Sequence, residues 1–391
     1  MKLIYLALFT LLLSACVTSS QVEKGSSEAI KVAAQRSEAY LPQLKGKRVG
    51  LVVNQTSMVG NRHLADYLLD ESVNVARIFA PEHGFRGDHD AGAHVSSEID
   101  AKTGIPITSI YGKFKKPPVE MLQQLDVVIF DIQDVGVRFY TYISSMHYMM
   151  EAAAEAGIQF MVLDRPNPNG RFVDGPILEP KYRSFVGMHP IPVLHGMTVA
   201  ELARMIKGEG WINQAQSLDL VAIPVANYSR YMHYSLPVAP SPNLPNDQAI
   251  GLYPSLCFFE ATPISVGRGT DFPFQVLGFD DIELGEFAFS PESRPGSALH
   301  PKLEGKALQG IDLQESPERG LNLTWLVGAQ QQFSSRGMHL FERADFMDKL
   351  AGTDSLRNAI EAGQSAAEIK RSWQAGLANF KEQRQPYLLY P

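Results

Sequence analysis

The chain has 391 residues and a formal net charge of −7, with 45% hydrophobic and 20% charged residues. Those proportions suit a globular protein with one large or two moderate cores and exclude a disordered or fibrous chain. The acidic balance, with no basic cluster, excludes nucleic acid as a non-specific partner.

Residues 1–20 read as a targeting signal rather than as structure: Lys2 is the positive start, and Leu3 to Leu13 form an apolar run too short to span a bilayer. Leu13-Ser14-Ala15-Cys16 resembles the lipobox of bacterial lipoproteins, in which the cysteine is diacylated and becomes the first residue. Acyl chains anchor by about 0.8 kcal/mol per buried methylene, so two of them hold a protein stably on a membrane. Val17 rather than aspartate follows Cys16, which by analogy with enterobacterial sorting implies the periplasmic face of the outer membrane. Cys257, alone in an apolar run, reads as a core thiol, so no disulfide framework is expected.

Residues 17–40 are polar and read as a tether leading into a first helix. Strands are then expected at Arg48 to Asn54, Val73 to Ala80, Ile107 to Tyr111, Asp126 to Asp131 and Gln159 to Leu163. Helices are expected at His63 to Asp70 and at Tyr142 to Ala156, the latter stopped by Gly157. This alternation with short connections is the pattern of an α/β fold, a doubly wound and mostly parallel sheet. Proline and glycine crowd 164–196, a helix follows from the N-cap Thr198, and Leu218 to Val225 reads as one more strand. Beyond about 260 the pattern loosens into short apolar pieces, with helix again over 343–383. The expected division is a catalytic domain at 41–210 and an α+β domain at 211–391.

Chemistry-bearing residues gather at three strand ends: Glu82-His83-x-x-Arg86, then Asp131 to Tyr140, then Asp164-Arg165-Pro166-Asn167. In a parallel sheet these ends lie on one edge and converge. A single strand-terminal Asp is more often a cap or turn residue; three polar ends together exceed what capping requires. Arg138 and Arg165 also read as ion-pair partners of the neighbouring carboxylates, and Phe139 and Tyr140 as core or as a wall for a sugar ring.

PEHGFRG, DIQDVGVRFYTY, VLDRPNPNG, HGMTVAEL, SPNLP and SVGRGT, in that order from about residue 45 onward, resemble the motif series of the bacterial exo-β-N-acetylmuramidases. The resemblance implies a Rossmann-like N-terminal domain, a smaller C-terminal domain and a cleft between them. It also implies release of N-acetylmuramic acid from non-reducing ends of peptidoglycan fragments. Glycoside hydrolysis needs a protonated acid and usually a second carboxylate. Glu82 matches the family's glutamate and takes the acid role, with His83 orienting or relaying a proton. Asp131 and Asp134 are the candidate catalytic partners, and the substrate's 2-acetamido group is the alternative to a carboxylate nucleophile.

N-acetylmuramic acid carries a lactyl carboxylate, for which a planar bidentate cation is suited; Arg86, Arg138, Arg165 and Arg268 are the candidates. Tyr140, Asp164, Asn167, His195, Asn243 and Glu260 complete the expected binding set. The segment FEATPISVGRGTDFPF departs from the family pattern at Ala261 and Pro263.

No cofactor or metal is expected: the first strand lacks G-x-G-x-x-G, and neither G-x-S-x-G nor HExxH occurs. Two rivals remain. His83, Asp88, His89, Asp90 and His94 would serve a metal-dependent cell-wall hydrolase, and the same cleft would serve a non-catalytic muropeptide-binding lipoprotein. The oligomeric state is open.

Overall fold

The structure, a computed structural model, describes residues 28–86, 98–112 and 114–391. The signal, Cys16, residues 17–27 of the 17–40 stretch and the run from Asp88 to His94 lie outside the described residues.

In chain order the first half comprises α1 (Ser37–Leu44), β1 (Arg48–Val53), the hairpin β2 (Met58–Val59) and β3 (Arg62–His63), α2 (Leu64–Asp70), β4 (Asn74–Ala80), β5 (Glu98–Ile99) and β6 (Pro106–Ser109). It continues with α3 (Val119–Leu122), β7 (Val127–Asp131), α4 (Tyr142–Ala156), β8 (Gln159–Leu163), α5 (Val199–Gly208) and β9 (Leu220–Ile223). Seven of these strands form one sheet in the order β5-β6-β4-β1-β7-β8-β9, parallel throughout except for the two-residue edge strand β5. The winding reverses at β1, which lies between β4 and β7. This is the doubly wound, Rossmann-like order expected of such a sheet, with an added antiparallel edge.

Side chains alternate across the sheet and supply two cores. Val52, Phe79, Phe130 and Val162 pack on one face with residues of α3, α4 and α5. Leu51, Val53, Ile78, Ile129 and Met161 pack on the other with α1 and α2. Both faces are covered, which is why β1 and β7 read as unbroken apolar runs.

Local signals set the helix ends. Gly157 takes the left-handed conformation (φ 67) that closes α4, and Thr198 with Glu201 forms a complete capping box on α5.

The second half adds α6 (Asp247–Leu256), β10 (Val276–Phe279), β11 (Phe287–Phe289), β12 (Leu308–Asp312), α7 (Thr324–Ser335), α8 (Ala344–Ala351), α9 (Ser355–Glu361), α10 (Ala366–Ser372) and α11 (Gln374–Arg384). Strands β10-β12-β11 make a small antiparallel sheet. The helices continue the core on the α4 face, through Leu252, Phe333, Leu350 and Phe380.

Two details bear on the expected divisions. Within the 17–40 stretch, Val32, Ala33 and Ala34 are buried and Lys31 pairs with Ala226. Strand β9 completes the main sheet from beyond residue 210.

The chain then returns to its first half. The Tyr390 hydroxyl donates to Asp164 (2.6 Å) and the Leu389 amide to Glu201 (2.7 Å), while Arg204 and Arg230 donate to the carbonyls of Tyr387 (2.7 Å) and Tyr390 (2.6 Å). Among the described residues no helix is long and apolar enough to cross a membrane.

Candidate active site

At the carboxyl end of β4, Pro81 stops the strand and the backbone turns through two left-handed residues, His83 (φ 68) and Gly84 (φ 79). Glycine enters that region freely; a buried histidine does so only when its surroundings hold it there. The turn directs Glu82 and His83 into a cavity of about 230 Å³, walled by the β7–α4 connection (Phe139 to Tyr142), Phe185, the Ser241–Leu244 loop, Tyr253 and Cys257, Glu260, Arg268 and Phe274, and α8 (Phe346, Leu350). It is therefore shared by the sheet domain and the second half.

Glu82 is gripped by two hydroxyls. Tyr111 donates to Oε1 (3.0 Å) and Thr141 to Oε2 (3.1 Å). Burial, with the neighbouring Glu82 charge, pushes the Tyr111 phenol up, so it remains a donor. Across the cavity Arg268 donates from Nε to Glu260 (2.8 Å) and lies over the Phe274 ring (5.0 Å to its centroid). Burial alone would raise the Glu260 carboxyl, but Arg268 and Lys302 outweigh it and hold it below the usual range. Burial pushes the Cys257 thiol up to about 12, where it is inert.

Of the residues expected from sequence, the cavity gathers Glu82, His83, Tyr140, Asn243, Glu260 and Arg268. The remaining eight lie elsewhere. Asp131 alternates away from Phe130 to the α1/α2 side of the sheet, where Arg165 chelates it (2.6 and 2.9 Å). Asp134 is buried in a turn, accepting the Gly136 amide (2.6 Å), and burial pushes its carboxyl up to about 7. Asp164 caps α5 by accepting the Ala200 amide (3.0 Å) and the Thr198 hydroxyl (2.7 Å). Asn167 donates to the Met197 carbonyl (2.8 Å). His195 is buried at the α5 entrance, its pKa pushed down to about 3 by burial and then by Arg384 and Arg138. Arg86 pairs with Asp100 (3.0 Å).

Arg138 is fully buried and donates to four carbonyls, those of Pro176 (2.9 Å), Ile191 (2.6 Å), Leu350 (3.0 Å) and Ala351 (2.6 Å). Most hydrogen-bonding groups of these residues are engaged with the framework; among them Asp134 Oδ1, Arg138 Nε and His195 Nε2 are buried without a partner among the described residues.

Sequence reasoning passed over Tyr111, Thr141, Ser241 and Tyr253. Thr141 and Ser241 lie inside motifs already singled out, between Tyr140 and Tyr142 and two residues before Asn243. Tyr111 and Tyr253 carry no local signal: one ends a strand and the other looks like helix core.

Behind the Phe185 wall lies a buried histidine pair. Ser144 donates to the Phe185 carbonyl (2.7 Å), and Arg183 donates to His147 Nε2 (3.2 Å). Since guanidinium only donates, His147 carries its proton on Nδ1 and gives it to His189 Nε2 (3.0 Å). Burial and then Arg183 push His147 down to about 4. A folded pKa below the unfolded value of about 6.5 gives stability that is full above pH 6.5 and lost as pH falls toward 4. Buried Asp134 and Asp164, with raised pKa values, act in the opposite sense, so a difference measurement isolates the histidine. The stability advantage of wild type over His147→Gln is expected to shrink by about 2 kcal/mol between pH 7 and pH 5 in urea titrations.

Models of the family described as Exo-beta-N-acetylmuramidase NamZ match this chain at residues 49–248 (N-terminal part) and 251–390 (C-terminal part). The Peptidoglycan beta-N-acetylmuramidase NamZ of Bacillus subtilis (strain 168) is 40% identical over 375 residues, covering 90% of this chain and 89% of that protein. Two solved DUF1343 family proteins of Bacteroides fragilis NCTC 9343 share the fold, each over 93% of this chain and 99% of theirs. Their TM-scores are 0.84 and 0.80, at 46% and 29% identity.

Proposed function

Because the chain belongs to the exo-β-N-acetylmuramidase NamZ family, we propose that it hydrolyses peptidoglycan fragments from their non-reducing ends, releasing N-acetylmuramic acid with Glu82 as general acid. The observation that carries this reading is the carboxyl group of Glu82, held by Tyr111 and Thr141 at the wall of an aromatic-lined cavity. A cavity of about 230 Å³ is smaller than those that hold drug-sized ligands, and suits one terminal sugar better than the middle of a glycan strand. Glu82 protonates the departing glycosidic oxygen as positive charge develops at the anomeric carbon, and water forms the new bond there, directly or after the substrate's 2-acetamido oxygen has closed onto that carbon and is displaced. The aromatic walls exclude water and bracket the ring, and His83 orients the turn that presents the acid.

The test incubates purified protein with the disaccharide N-acetylmuramic acid–N-acetylglucosamine and with a chromogenic N-acetylmuraminide, with and without EDTA. Sugar release that survives EDTA supports a metal-independent glycosidase. EDTA-sensitive release would favour the metal hydrolase, and binding without release the muropeptide-binding lipoprotein.

The hydroxyl of Tyr111 fixes the direction of the acid rather than supplying the proton. Tyr111→Phe is expected to lower kcat about tenfold, the cost of about one hydrogen bond, with KM nearly unchanged in steady-state assays.

We further propose that Cys16 is diacylated and anchors the protein at the periplasmic face of the outer membrane, on the strength of the Leu13–Cys16 sequence. Incorporation of labelled palmitate, lost in Cys16→Ser, tests it.

A further inference from the structure

The cavity offers a cation whose donors are only partly engaged. Among the described residues lining it, Arg268 carries the only guanidinium or ammonium group. Its Nε–H is committed to Glu260 and its Cζ lies over the Phe274 ring, 5.0 Å from the centroid, which together restrain the orientation. Its two terminal nitrogens have no hydrogen-bond partner among the described residues and are not sealed off from the cavity. A guanidinium restrained through Nε and by the ring beneath it presents a pre-set fork to a planar anion.

The surroundings favour an anion there. Glu260 is opposed by Arg268, Lys302 and Arg343 together. Lys302 does not compete for a ligand, because its ammonium donates to the carbonyls of Phe259 (2.9 Å), Glu260 (3.1 Å) and Thr262 (2.6 Å). The backbone bends to make the seat: Gly267, Gly269 and Phe274 all have positive φ (79, 81 and 57), and for phenylalanine that conformation costs energy.

We propose that the Arg268 fork is the seat of a substrate carboxylate, the lactyl group on O3 of N-acetylmuramic acid, and that Glu260 is the positioning residue that holds the fork. This rests on the muramidase reading and adds to it the origin of selectivity over N-acetylglucosamine, which lacks that group.

The experiment compares three chromogenic glycosides on the purified full-length chain: the N-acetylmuraminide, its lactyl methyl ester and the N-acetylglucosaminide. Wild type is expected to prefer the acid to the ester by about 100-fold in kcat/KM, the worth of two charge-assisted hydrogen bonds. Arg268→Gln collapses that ratio toward one, whereas Arg268→Lys, which keeps the charge without the fork, recovers only part of it. A structural role alone would lower all three glycosides by the same factor and leave the ratio intact, which would overturn the proposal. So would wild type cleaving the ester as readily as the acid. If wild type cleaves none of the three, the muramidase reading falls, and calorimetry with the free sugars decides the seat separately. N-acetylmuramic acid bound more tightly than N-acetylglucosamine by wild type but not by Arg268→Gln supports it; equal binding overturns it.

Discussion

Glu82→Gln is expected to reduce release of N-acetylmuramic acid from the disaccharide by about 10²- to 10⁴-fold, the range for losing a positioned general acid. The loss falls on kcat. The glutamine carbonyl still accepts from Tyr111 or Thr141, while the amide cannot deliver the proton that the acid role proposed for Glu82 requires. KM for the disaccharide and the urea midpoint are expected to stay close to wild type, because the side chain keeps its shape and one of the hydrogen bonds from Tyr111 and Thr141. Retained turnover in the variant would take the acid role from Glu82.

The second large effect is on stability. Arg138→Met removes the donor from four buried carbonyls at once and is expected to cost about 3–5 kcal/mol in urea titrations. Burial pushes this guanidinium down to about 9, so it remains protonated at neutral pH. Its partners come from the 164–196 segment (Pro176, Ile191) and from the end of α8 (Leu350, Ala351). Helix α8 also supplies Phe346 and Leu350 to the cavity. The folded fraction of the variant is therefore expected to bind substrate with a raised KM. Arg138→Lys is no rescue, since one ammonium has three donors in a different geometry.

The sheet was readable in the sequence because buried parallel strands leave continuous apolar runs: β7 and β8 fall where the pattern places them, and α4 matches residue for residue. The small sheet was not. Gly310 sits in the middle of β12 because a Cβ there would come within 2.1 Å of the Leu277 carbonyl oxygen, and a glycine at that place breaks the pattern a reader looks for. Among site residues, the loop after β4 was legible because Glu82 and His83 follow a strand directly. The carboxylates after β7 and β8 look alike on paper. A one-residue change of parity sends Asp131 to the far face, while a helix terminus claims Asp164; neither event has a local mark. Tyr111 and Tyr253 reach the cavity only through tertiary packing.

The docking of residues 387–391 onto the first half has a consequence for how the molecule comes together. Tyr390 and Asp164 are 226 positions apart, yet they share a buried hydrogen bond, and Glu201 likewise receives the Leu389 amide. Until residues 389 and 390 are in place, each of these two buried acids, beside the carboxyl end of β8 and in the first turn of α5, keeps its local donors but lacks one long-range donor. Contacts this distant in sequence slow folding, because a very large loop must close before they form. The two halves thus constitute one cooperative unit, and a cleavage between them is not expected to yield two fragments that fold alone.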